Sequence, residues 1–136
     1  MGENLSSKKQ RVYVFGNELL DFDNMPIKLL PKLRQLFPEI EFVITDPNEN
    51  VKPENGRLYI IDTVMGLSRV MALTDVDQLA DEPKYSMHDF DLGFQLKLLK
   101  KIGQLKHVTI FGVPPDISQD DAVKQMTKAI SICDFR

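Results

Sequence analysis

The stretch "RLYIIDTV", Arg57 to Val64, is apolar at nearly every position until Asp62 interrupts it. A strand with one wet face alternates apolar and polar residues, whereas a strand covered on both faces reads as a continuous apolar run. The run therefore predicts a central strand in a mainly parallel sheet, and the rest of the chain must supply neighbouring strands and covering helices.

Both are legible. "RVYVF" (Arg11 to Phe15) is a β-rich run closed by the turn pair Gly16-Asn17, and "EFVIT" (Glu41 to Thr45) is a second strand. Between them, "MPIKLLPKLRQLF" spaces Ile27, Leu30, Leu33 and Phe37 as one helix face. Pro26 suits a first helical turn, and Pro31 is expected to kink or restart the helix. "DPNENVKPENG" is a loop. "RVMALT" follows the central strand so closely that a hairpin is expected, giving an antiparallel edge. A helix is predicted over Asp89 to Ile102 with Phe90, Phe94, Leu98 and Ile102 facing inward. "HVTIFGV" is the last strand, and "SQDDAVKQMTKAISIC" a final helix capped by Ser118 or a neighbour. Strands alternating with helices predict an α/β three-layer sandwich with a mainly parallel five-stranded sheet and one antiparallel edge strand. Residues 1–10 read as a polar tail and residues 11–136 as one α/β domain.

Several function classes are disfavoured. A net charge of −3 over 136 residues argues against a nucleic-acid coat. Apolar runs such as "LYII" fall far short of the ~20 residues of a membrane span, and "MGENLSSKKQ" has no apolar signal-peptide core. The single cysteine, Cys133, excludes an internal disulfide and fits a reducing, cytoplasmic setting. It has no obvious histidine partner, and no G-x-S-x-G, H-E-x-x-H, P-loop or C-x-x-C is present. "GNELLDFDN" lacks G-x-G-x-x-G, which argues against a dinucleotide site.

In sheets of this kind, function concentrates beyond the carboxyl ends of the strands. The loop after the first strand carries Asp21 and Asp23, the central strand is expected to end in Asp62, and the helix before the last strand should begin at that edge near His88. Ser86 is a fitting N-cap, with Asp89 three residues on as an acidic variant of the capping box. His88 would then lie in the positive end of the helix dipole, which favours the neutral imidazole that binds metals. Two carboxylates and a neutral imidazole match a divalent cation and leave coordination positions open. Taken singly, Asp23 and His88 have commoner roles as a cap and a surface residue; only their convergence with Asp62 suggests a site. His107 opens a strand at the opposite edge and reads as structural.

Taken in order, "VYVFGNELLDFDN", "LYIIDTV", "SMHDFDLGF" and "VTIFGVPPD" resemble the motifs of the hydrogenase maturation endopeptidases. The match runs from about Val12 to Asp116, with each block in its place. The resemblance implies an endopeptidase that removes a C-terminal extension from the large-subunit precursor of a nickel–iron hydrogenase once nickel is in place. It implies metal-contacting and catalytic roles for Asp23, Asp62 and His88, nickel carried by the substrate, and no tightly bound cofactor of the protein's own. It also implies a substrate contact at Asp46, whose bland alternative is a turn before Pro47. Two departures stand out: Phe22 occupies the place of an acid, and "TDPNENVKPENG" lacks the glycines and most of the helix that the family often carries there. These departures keep open a non-catalytic maturation or metal-checking binding module of the same fold, and the acidic first loop with an Asp-ending central strand separately leaves open a receiver-like phosphoacceptor. The latter lacks the lysine that "FGVPPD" would have to supply.

Overall fold

The computed structural model describes residues 9–17, 19–20, 23–46, 49–74, 86–87 and 90–135. Among the described residues there are six strands: β1 (Gln10–Val14), β2 (Ile40–Ile44), β3 (Arg57–Met65), β4 (Met71–Leu73), β5 (Ser86–Met87) and β6 (His107–Val113). The sheet runs β2-β1-β3-β6-β4, with β5 pairing β3 off that path. β1, β2, β3 and β6 are mutually parallel, and β4 joins the edge antiparallel to β6. The expected α/β architecture is therefore present, with the short antiparallel β5 added at the end of β3.

β3 earns its apolar sequence by position: Leu58 to Val64 are all buried, between β1 and β6 and beneath helices on both faces. Alternation divides its side chains between two cores. Tyr59 and Ile61 join Val12, Val14, Phe111 and Val113 on one face. That face is covered by α1 (Met25–Lys28), α2 (Leu30–Leu36) and α4 (Gln119–Ser131). Leu58, Ile60 and Val64 join Tyr13, Phe15 and Ile110 on the other, beneath α3 (Phe90–Lys101).

The proline pattern explains the first helical layer. Pro26 and Pro31 each fall in a first turn, where a missing N–H costs least. Pro31 cannot continue the ladder from α1, so the chain breaks at Leu29 and restarts as α2. Ser118 Oγ accepts from the Asp121 N–H at 3.2 Å and caps α4 as expected. Past α4, the Phe135 ring stacks at 4.6 Å from Tyr59, whose hydroxyl donates to the Asp134 carbonyl at 3.3 Å.

Three expectations are corrected. β4 does not form a hairpin with β3: both edges of β3 are taken by β1 and β6, so the connection crosses the end of β6 and β4 pairs beyond it. Gly112 permits that crossing, since a Cβ there would lie 2.7 Å from Leu67 Cδ1 and 2.9 Å from Val64 Cγ2. In α3, Phe94, Leu98 and Ile102 are exposed, while Leu92 and Leu96 fill the core. The helix carries two apolar stripes, and the sheet selects the second. Ser86 is not an N-cap; it lies in β5 opposite Met65, and the described helix starts at Phe90.

Candidate functional site

Sequence and sheet register together bring Asp23 and Asp62 to one edge. β1 stops at Val14, opposite Ile61 of β3, and the Phe15 N–H still donates to the Ile61 carbonyl at 2.9 Å. Beyond that point β1 peels away. Asn17 then shapes the turn: its side-chain oxygen accepts from the Leu19 N–H at 2.9 Å, and its carbonyl accepts from the Leu20 N–H at 3.1 Å. The turn is closed by the Asp23 N–H donating to the Leu20 carbonyl at 3.0 Å, and by the Asn17 N–H donating to the Asp23 carbonyl at 2.8 Å. The chain so returns to Gly16, where a Cβ would lie 3.0 Å from the Asp23 carbonyl oxygen. Only glycine offers that approach without a shift.

Asp62 occupies the matching position on β3. It does not end the strand, as the sequence suggested: β3 continues to Met65, held by β6 through Val113 and by β5. Its ladder partner is Gly112, which presents no side chain, and β1 has already left on the other side. Alternation puts Asp62 on the face of Ile60 and Val64, the face that α3 covers. Strand spacing and the Gly16 approach bring the Asp23 and Asp62 backbones to within roughly 10 Å of each other.

Burial makes this edge chemically unusual. Asp23 is 2% exposed and Asp62 0% exposed. Among the described residues the buried polar or charged side chains are Asp23, Asn24, Thr45, Asp62 and Thr63. All follow the ends of β1 and β2 or sit where β3 outruns β1, so the polar interior of the described molecule is gathered at one rim. Removing carboxylates from water is costly and must be compensated by hydrogen bonds, cations or a metal. Asn24 and Thr63, the direct neighbours of the two acids, were not singled out from the sequence; the cue was available only as polar residues adjoining candidate acids.

The remaining sequence candidates fare differently. His88 lies outside the described residues, as do Asp21 and Phe22. Met87, its predecessor in the chain, is opposite Val64, two residues beyond Asp62. Among the described residues, no group of three His, Cys, Asp or Glu side chains could hold a metal ion. Asp46 is exposed and opens a turn: its N–H donates to Glu49 Oε1 at 3.1 Å, and its carbonyl accepts from the Glu49 N–H at 2.9 Å. His107 starts β6 at the opposite edge, opposite Arg57. No described helix is long and apolar enough to cross a membrane.

Two solved structures share this fold. The hydrogenase maturating endopeptidase HybD from E. coli is 20% identical, with 90% of this chain and 92% of that chain covered at a TM-score of 0.62. The hydrogenase 3 maturation protease is 22% identical, with 90% of this chain and 89% of that one covered at a TM-score of 0.56. In sequence, no protein-family model and no curated protein matches the chain.

Proposed function

We propose that this protein is an endopeptidase of hydrogenase maturation, which removes the C-terminal extension of a nickel–iron hydrogenase large-subunit precursor after nickel insertion. The observation that carries the reading is the burial of Asp23 and Asp62 at a single sheet edge, in a fold shared with two hydrogenase maturation proteases. The ordered motifs around Gly16, Asp62 and Ser86 to Asp89 support it independently.

Nickel enters as part of the substrate. Asp23 and Asp62 supply hard, anionic oxygen donors, and His88, the residue after Met87, would complete an O,O,N set. Once held, the ion supplies Lewis-acid polarisation of the scissile carbonyl or of a water. The chain's own residues do the rest: the rigid β3 backbone orients Asp62, the Asn17 turn presents Asp23, and either carboxylate can take the proton of the attacking water. That proton then passes to the departing amide nitrogen, leaving two termini. Asp46 is assigned a contact to the substrate outside this set.

A second reading is favoured by one specific observation. Between β2 and β3 the described residues form turns and irregular backbone, with no helix. A protein that has lost that element could bind a precursor and check its nickel without cutting it. The experiment that separates the readings is incubation with nickel-loaded precursor, followed by intact mass. Loss of the extension, abolished by Asp62→Asn in a variant that remains folded, is the expected result. A stable complex with an uncut precursor would establish the binding module instead, and neither cleavage nor complex would refute both.

A further inference from the structure

The outward face of α3 is apolar where a helix surface is ordinarily polar. Phe94, Leu98 and Ile102 are 65%, 48% and 56% exposed, while Leu92 and Leu96 of the same helix are buried. Steps of four residues advance about 40° round a helix, so these three side chains form one ridge about 12 Å long, on the side turned from the sheet. The Ile102 N–H donates to the Leu98 carbonyl at 3.0 Å, which keeps Ile102 in line, and Gly103, at a φ of 83°, then ends the helix. The other exposed large apolar residues among those described are scattered over a turn, strand ends and helix ends.

The charge beside the ridge is of one sign. Lys97 and Lys101, both exposed, follow Phe94 and Leu98 by three residues and flank them on one side. Gln95 borders the other side; its Oε1 accepts from the Val51 N–H at 2.8 Å, which brings the exposed Lys52 to that flank. From Leu92 to Pro115 the chain carries four lysines and no Asp or Glu, in a protein whose net charge is −3.

We infer that the outward face of α3 docks an amphipathic helix of another protein, whose own apolar ridge is bordered by Asp or Glu. The inference does not depend on the endopeptidase reading. A ridge of four-residue spacing fits the groove beside a matching ridge on a second helix, the commonest way in which helices cross. Removal of both ridges from water supplies the affinity, and the lysines select a partner of opposite sign. A second copy of this chain fits poorly. Antiparallel pairing across Leu98 would crowd Lys97 and Lys101 of both copies onto one flank, and parallel pairing would set them beside Lys52 of the second copy. A lipid surface fits poorly as well: the ridge spans about 80° of the helix, narrower than the roughly 100° of an amphipathic stripe, and the broader apolar face of α3 lies against the sheet.

The probes are two fluorescein-labelled synthetic helices of about five turns, both with leucines at four-residue spacing, one bordered by glutamates and the other by lysines. Fluorescence anisotropy at low salt should show the glutamate probe binding at least about tenfold more tightly than the lysine probe, a preference that shrinks as salt is raised. Phe94→Ser/Leu98→Ser should weaken binding of the glutamate probe about tenfold and Lys97→Gln/Lys101→Gln about threefold, whereas the control Leu36→Ser/Ile132→Ser should leave it unchanged. Thermal unfolding should show every variant folded. Absence of binding, equal binding of the two probes, or an unchanged affinity in Phe94→Ser/Leu98→Ser overturns the inference. It is overturned equally by a wild-type dimer that Leu98→Ser dissociates in sedimentation, or by a protein that binds phosphatidylserine vesicles and ignores the glutamate probe. If replacing the acids of residues 75–82 by Asn and Gln raises probe affinity about tenfold, the chain's own acids hold the face and the inference falls.

Discussion

Replacing Gly16 by alanine should separate the backbone role of this residue from its role in seating Asp23. Gly16 is not among the glycines with positive φ, so alanine meets no conformational bar. By itself the change should stabilise the fold by about 0.4–1 kcal/mol, through a less flexible unfolded chain. Against this, the new methyl would lie 3.0 Å from the Asp23 carbonyl oxygen, with Ile27 Cγ1 at 3.4 Å and Pro26 Cβ at 3.5 Å. The oxygen cannot simply swing away, because it accepts the 2.8 Å bond from Asn17. Overpacking of this kind costs about 1–3 kcal/mol, so the net expectation is a loss of about 0.5–2 kcal/mol. On the proposed endopeptidase activity, a retreat of Asp23 by about half an ångström should also slow cleavage roughly tenfold, on the scale by which small misplacements damage catalysis. Urea titration reads the first quantity and single-turnover processing of nickel-loaded precursor the second. Gly93→Ala in α3 is the control, since nothing lies within 4 Å of its added methyl; it should stabilise by about 0.5–1 kcal/mol. If Gly16→Ala stabilises as much as Gly93→Ala and cuts at the wild-type rate, the close approach of Gly16 does not seat Asp23.

Further expectations concern packing and titration. Leu96→Ala should cost about 2–5 kcal/mol, whereas Leu98→Ala two positions on should stay within about 0.5 kcal/mol, because only the first faces the sheet; equal losses in urea titration would restore the inward stripe expected from sequence. Phe135→Ala should cost about 1–3 kcal/mol through lost contact with Tyr59 and Phe111, read as a lower Tm. Burial, with the Asp134 charge adding to it, holds the Cys133 thiol above its ordinary 9.0. The folded state thus keeps this proton longer than the unfolded chain, so its contribution to stability is complete below that value and declines as pH rises through the folded pKa. Cys133→Ser should therefore flatten the alkaline fall of stability; an unaltered fall would assign it to other groups.

What could be seen in the sequence depended on whether a local rule or a distant partner decided the outcome. β3 announced itself because burial on both faces leaves no polar alternation, and the break before α2 followed from the ring of Pro31 alone. Ser118 capped α4 for equally local reasons. The inward face of α3 was misread because "FDLGFQLKLLKKI" satisfies helical spacing twice, and only the packed sheet chooses Leu92 and Leu96. The partner of β4 was misread because proximity in sequence favours a hairpin, while the competing β6 arrives more than thirty residues later. At the edge itself, an acid interrupting an apolar strand and another in the preceding loop were both visible from residue type. The turn that returns Asp23 to Gly16, and the burial of Asn24 and Thr63, belong to tertiary structure and left no comparable trace.

The strand order has a consequence for how the molecule comes into being. β6 lies between β3 and β4, yet both are synthesised before it, so the gap they flank must stay open until the chain has passed residue 113. In the interval one margin of the most apolar strand has no ladder partner, which is the condition under which nascent chains recruit foreign strands. Insertion of β6 closes that margin and completes the sheet in one long-range event, of the kind that slows folding. A ribosome stalled just short of β6 should therefore present a chain that chaperones hold, and one stalled far enough beyond it for β6 to emerge a chain they release.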